Sequence, residues 1–238
     1  MKRAAALGAG VIALTLAGIA PGAAAIGPAF DSQRVVERYT RALAAVGMPH
    51  AVIVDYEISQ EGPASIEERH VLYRSGIDVR DETVAVDGLP LTSKRIVVTR
   101  RVDRYAITRV APTTDAYGFV FVRTVREGTT VGYRFETVPL APREAGFVVT
   151  AVTIDARRFL PLEIDFRSVG ERAHGHGVLR YAPAGRWWMP LSAYAVAVIG
   201  GATARERIVW SAYRFPPALP AATFATPRPL PSPTLPTL

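Results

Sequence analysis

His174-Gly175-His176 places two imidazoles two residues apart, so on a strand both rings face the same side. A zinc site needs a third protein ligand and usually a fourth. Asp155, Glu163 or Asp165, from the segment just before, could supply one and yield a secreted metal-dependent hydrolase. The competing reading is a solvated strand end with glycines at a bulge. Glu163 and Asp165 share a strand face and could form an acid pair; outward charges on a half-buried strand give the same pattern. No serine has Gly-x-Ser-x-Gly flanks, and Arg74-Ser75-Gly76 lacks the first glycine. No His-Glu-x-x-His, phosphate loop or dinucleotide fingerprint occurs. No catalytic residue, metal or cofactor is therefore expected. Trp187-Trp188 is the most suggestive aromatic pair. Strand neighbours point to opposite faces, so one ring can wall a ligand cavity while the other meets solvent or a partner.

These residues sit on a chain with one strong helical pattern. Asp31 or Ser32 can cap it. Val36, Tyr39, Leu43 and Val46 then fall on one helical face, and Gly47 and Pro49 end it. Alternation follows. Val52, Val54, Tyr56 and Ile58 point one way; Ile53, Asp55, Glu57 and Ser59 point the other. Short strands are predicted over 71–74, 83–86, 94–99 and 105–110. Hairpins are predicted over 117–138, with Phe121 facing Phe135 across the turn at Glu127-Gly128, and over 147–167. A third runs from His176 through Pro183-Ala184-Gly185 to Val198. Gly200-Gly201 turns the chain into a last strand holding Ile208 and Trp210. One helix and about nine to eleven antiparallel strands make a mainly β (α+β) protein. A sheet that wide curls or closes, giving an incomplete antiparallel barrel whose concave face the amphipathic helix covers.

The composition agrees. Of 238 residues, 49% are hydrophobic and 21% charged, values of a globular chain. With no cysteine there is no disulfide scaffold, thiolate site, cysteine nucleophile or lipidated N-terminal cysteine. The net charge of +7 is carried by dispersed arginines, with lysine only at positions 2 and 94. Nucleic-acid binding, which clusters its charge, is not expected. Residues 1–25 read as a signal peptide: Lys2 and Arg3, an apolar run from Ala4 to Ala20, then Pro21-Gly22 and Ala23-Ala24-Ala25. An uncleaved anchor is the other reading of that run. Residues 26–215 form the single domain. Residues 216–238, with eight prolines, form a largely disordered tail.

In this order of elements the chain resembles the outer-membrane lipoprotein carriers and lipoprotein-sorting proteins of the LolA-like superfamily. Val71-Leu72-Tyr73-Arg74 followed by Thr83-Val84-Ala85-Val86-Asp87-Gly88 is similar to that family's second strand and its short strand ending in Asp-Gly. Ala151-Val152-Thr153-Ile154-Asp155, leading to Phe159-Leu160-Pro161-Leu162-Glu163-Ile164, is similar to its central hairpin. Ile208 to Tyr213 and Leu219 to Pro227 resemble its final strand and exit. The family's aromatic-rich strand after Asp-Gly is replaced by Leu89-Pro90-Leu91-Thr92-Ser93-Lys94. A lid-contacting arginine would fall at Arg74 or Arg80.

The resemblance implies an exported, non-enzymatic, monomeric carrier, periplasmic or otherwise outside the cytoplasm and soluble after signal cleavage. Its ligand would be a lipid or lipoprotein acyl chain, and its partners membrane-associated donor and acceptor proteins. The residues expected to line the apolar cavity are Val36, Tyr39, Leu43, Val54, Tyr56, Phe121, Phe135, Ile154, Ile164, Phe166, Trp188, Val196 and Trp210. A secreted hydrolase built on His174 and His176, or an envelope stress-sensing or structural domain, are the alternatives.

Overall fold

A computed structural model describes residues 30–62, 65–141, 146–170 and 173–226. The leader expected over 1–25 and the last dozen residues lie outside the described residues. Helix α1 (Ser32–Ala45) opens the fold. Val36 and Tyr39 are buried as the periodicity predicts, Leu43 and Val46 are half-buried, and Val35 is buried beside them.

Eleven strands follow among the described residues: β1 (Ala51–Glu61), β2 (Ile66–Ser75), β3 (Asp78–Val86), β4 (Leu89–Arg100), β5 (Tyr117–Glu127), β6 (Thr130–Pro139), β7 (Gly146–Asp155), β8 (Pro161–Val169), β9 (Ala173–Ala184), β10 (Trp187–Ile199) and β11 (Ala202–Arg214). They form one antiparallel sheet in the order β4-β3-β2-β1-β11-β10-β9-β8-β7-β6-β5. Among the described residues the only strand partners distant in sequence are β1 and β11, paired as Tyr56 with Trp210 and Ile58 with Ile208. The sheet is not closed, because β4 and β5 are both edges. The Asp87-Gly88 link between β3 and β4 has φ of 49° and 77°, the two positive values a type I′ hairpin turn needs. Leu89 to Lys94 forms the first half of β4.

The predicted aromatic pair is in place. Phe121 pairs with Phe135 at a centroid distance of 5.6 Å, edge to face. A bulge between Val149 and Ala151 shifts the parity read for β7, so Val149 rather than Val148 opposes Phe166.

One expected strand is absent. Residues 105–110, with their β-branched residues, read as strand. Instead they form a turn and a short helix α2 (Ile107–Val110). The segment 101–116 joins the two edges of the sheet. Ten strand spacings of about 4.8 Å would part the edges of a flat sheet by about 48 Å. That is close to the full reach of sixteen residues, and four of these are coiled into α2. The sheet is therefore curled. The segment crosses its inner face: Ala106, Ile107, Val110 and Ala111 are all buried. The Tyr39 hydroxyl donates to Pro112 O at 2.7 Å, and the Tyr181 hydroxyl to Tyr105 O at 2.9 Å. The cover of the inner face is thus shared between α1 and this crossing segment, not supplied by the helix alone.

The tail begins in order. Pro216 to Thr226 leaves β11 and includes a 3-10 turn over Ala221–Phe224, where Arg80 donates to Thr223 O at 3.2 Å.

Candidate functional site: two clefts under the crossing segment

The inner face of β1, β2, β10 and β11 faces the start of the crossing segment across a cleft of about 200 Å³. Val52, Val54, Tyr56 and Ile58, the alternating set of β1, form one wall; Leu72, Ile208 and Trp210 extend it, and Met189, Pro190 and Tyr213 close it. Arg101 to Tyr105 form the roof. Arg74, on β2, holds that roof. Its Nη1 donates to Arg101 O at 3.1 Å and its Nε lies 3.8 Å from Asp103 Oδ2. Burial lowers the Arg74 pKa from the ordinary guanidinium value, and the Asp103 carboxylate opposes that shift. Tyr105 packs edge to face on Trp210 at 4.9 Å. Burial pushes the Tyr39, Tyr181 and Tyr213 hydroxyls well up, so all three stay protonated donors.

A polar network backs this cleft. Tyr56 stacks on His70 at 4.6 Å, and its hydroxyl donates to Asp81 Oδ2 at 2.6 Å. The His70 ring nitrogens lie 3.1 Å from Asp81 Oδ1 and 3.2 Å from Glu68 Oε2. Arg95 pairs with Glu68, and Arg101 lies 3.8 Å from Asp81. Each group in the set is engaged by another, so the arrangement ties β1, β2 and β3 together.

A second cleft, of about 460 Å³, lies on the other side of Tyr105. Val102, Val110, Phe147, Phe166 and Leu179 line it, with Arg104 and Arg109. Val102, Arg104 and Tyr105 belong to both clefts.

The residues expected to line a cavity are distributed unevenly. Val54, Tyr56 and Trp210 wall the first cleft, and Phe166 the second. Tyr39 and Leu43 border a further hollow of about 300 Å³ beside Thr113 to Asp115. Trp188 is buried, donates from Nε1 to Pro161 O at 2.7 Å, and edges a hollow near the end of α1. Val36, Phe121, Phe135, Ile154 and Ile164 line none of these spaces and pack within the core. Val196 is misplaced in the sequence reading. It opposes His176 and Arg205, one residue out of phase with Ala195 and Ala193, which oppose Gly177 and Leu179. It is therefore on the outer face. Trp187, the second ring of the pair, is half-buried against Phe215 and under Arg186.

The histidine site does not assemble. His174 and His176 are exposed, and His176 opposes Arg167. Glu163 and Asp165 are bound by Arg134 at 3.2 and 2.7 Å, Glu163 also by Arg180 at 3.0 Å. Asp155 accepts from the backbone N–H of Arg157 and Arg158. Among the described residues no group of three metal-ligating side chains converges. Gly175 and Gly177 lie in an unbroken register with β10. A Cβ at Gly177 would overlap Tyr194 O and the Phe166 ring, so these glycines serve close strand packing and not a bulge.

Sequence reasoning missed the roof. Arg101-Val102-Asp103-Arg104-Tyr105 carries no motif, and its place over the inner face follows only from which strands become the sheet edges.

Fold and site together define a curled, open β half-barrel whose inner face is covered by a helix and an irregular strap that leaves two apolar clefts. The chain is similar to the crystal structure of a LolA superfamily protein from Nitrosomonas europaea, at 13% identity over 83% of this chain and 99% of that one, TM-score 0.38. It is similar also to a putative outer membrane lipoprotein-sorting protein domain from Vibrio parahaemolyticus, at 12% identity over 82% and 97%, TM-score 0.42. A DUF1329 family protein from Desulfovibrio piger matches at 12% identity over 81% and 96%, TM-score 0.44. At these identities and TM-scores the likeness says nothing of ligand or role. No family model matches the chain, and no curated protein does.

Proposed function

We propose that this protein is an exported, non-enzymatic carrier that holds an acyl chain, from a lipid or a lipoprotein, beneath the crossing segment. The observation that carries this reading is the first cleft: strand side chains form its apolar wall, while its roof is irregular backbone tied down by a few contacts, among them Arg74 to Arg101 O and Tyr181 to Tyr105 O. Each methylene moved from water into such a wall contributes about 0.8 kcal/mol, with no directional contact required. The two clefts are parted only by the segment around Tyr105, so displacement of the roof joins them into one chain-sized groove.

In this reading residues 1–25 are a cleaved leader and residues 26–215 the working domain. The protein acts as a periplasmic or otherwise exported monomer between membrane-associated donor and acceptor proteins. Among the described residues no helix is long and apolar enough to cross a membrane.

Native mass spectrometry of the chain purified without detergent, and again after delipidation and incubation with lipid, tests the proposal. Bound lipid in the first sample, or uptake in the second, is expected. Arg74→Ala removes the contacts to Arg101 O and Asp103, and uptake should then be about tenfold faster, the factor for one charge-assisted hydrogen bond. A delipidated protein that takes up no lipid, with none carried through purification, sinks the carrier reading.

A further inference from the structure

The arginines of the two clefts differ in how they are neutralised. In the first, Arg74 faces Asp103 and Arg101 faces Asp81. In the second, Arg109 and Arg104, the latter shared with the first cleft, stand at the mouth of an apolar wall, and neither makes an ion pair among the described residues. No acidic residue lines that cleft among the described residues. Arg104 is held over the Tyr105 ring at 4.7 Å, which fixes the guanidinium without supplying negative charge. Opposite, Phe147 and Phe166 stack at 4.8 Å and, with Leu179, make a flat apolar floor.

We infer that the cleft between α2 and strands β7–β9 is a second ligand site, which takes a single-chain anionic amphiphile with its head between Arg104 and Arg109 and its chain on Phe147, Phe166 and Leu179. The inference rests on the binding-protein reading above and adds a site and a head-group charge to it. A cleft of about 460 Å³ is at the lower end of ligand pockets, which favours one chain over two. Guanidinium groups prefer a carboxylate or phosphate, whose oxygens accept paired N–H bonds.

Calorimetric titration of the delipidated full chain decides the matter, using dodecanoate, dodecyl phosphate, 1-dodecanol and dodecyltrimethylammonium below their micelle concentrations. Both anions should bind at least about tenfold more tightly than the alcohol, and the cation most weakly. Comparison of the two anions tells a carboxylate head from a phosphate head. Arg104→Gln with Arg109→Gln should remove that preference while leaving the alcohol's affinity unchanged. Arg109→Gln alone, an exposed substitution, should remove part of it. Leu179→Trp, which fills the floor, should abolish the preference for anions over the alcohol, whereas Leu72→Trp in the first cleft should leave that preference in place. Equal affinity for anion, alcohol and cation, or a preference indifferent to both arginines, overturns the inference and leaves the carrier reading standing. Binding of none of the four overturns both.

Discussion

Glu82 shows how a single side chain on the outer face ties the sheet to the tail. It is nearly buried, receives Arg80 and Lys94 at 2.7 Å each, and Arg80 in turn reaches Thr223 O. Burial pushes its carboxyl pKa up, but the hydrogen bonds and charges of Lys94 and Arg80 together outweigh this, so the net shift is downward. A depressed pKa in the folded state stabilises the fold above the unfolded value and loses that contribution as pH falls through the folded one. Thermal midpoints followed from pH 7 to pH 3 should therefore drop more steeply in the wild type than in Glu82→Gln. At this scale the sequence was legible where neighbours are local. Phe121 and Phe135 lie across one hairpin and each belongs to its strand's apolar set, with a bulge between Phe121 and Arg123 completing the register that sets them opposite. It was illegible for Val196, whose strand carries a bulge between Pro190 and Ser192 that shifts the register against β9. It was illegible too for His174 and His176, whose supposed partners Glu163 and Asp165 are held by arginines on other strands and Asp155 by backbone amides of its own turn.

At the level of elements, α1 was written in its periodicity, and so were most hairpins, because amphipathic spacing and turn residues act within a few positions. The crossing segment was not. Ala106-Ile107-Thr108-Arg109-Val110 has the β-branched content of a strand, and only the lack of a free partner on the inner face lets it coil. A hydrogen bond joins the two covering elements: the Tyr39 hydroxyl to Pro112 O. Tyr39→Phe leaves a buried carbonyl without its donor, at a cost of about 1–3 kcal/mol. The amides of Val110 and Ala111, bonded to Ala106 O and Ile107 O, should then exchange hydrogen faster while those of the central strands do not. Unchanged exchange there would separate α1 from the motion of the roof.

Across the whole molecule, the sheet stays open at β4 and β5, and the strap between those edges fills part of the hollow. Ile107, in the strap, is 1% exposed. Ile107→Ala should cost about 2–5 kcal/mol, because the rigid wall around it cannot fully collapse into the space left. The urea midpoint should fall with little change in the slope of the transition, since the surface exposed on unfolding is nearly the same. A loss under about 1 kcal/mol would mean that the strap is only loosely seated. The candidate site lives at this scale. β1 displayed its apolar set Val52, Val54, Tyr56 and Ile58 openly, yet whether that wall faces a void, a helix or the chain's own loop is set by curvature and by the route of residues 101–116.

By itself the sequence determined one helix, a long antiparallel meander and the apolar face of most strands, since alternation and turn chemistry are local and need no partner to be read. Tertiary structure alone decided that β4 and β5 become the edges, that sixteen residues bridge them across the inner face, and that the hollow is divided in two. The reason is physical: strand order and sheet curl are settled by the pairing of β1 with β11, roughly 150 residues apart, and by how far a short tether can reach.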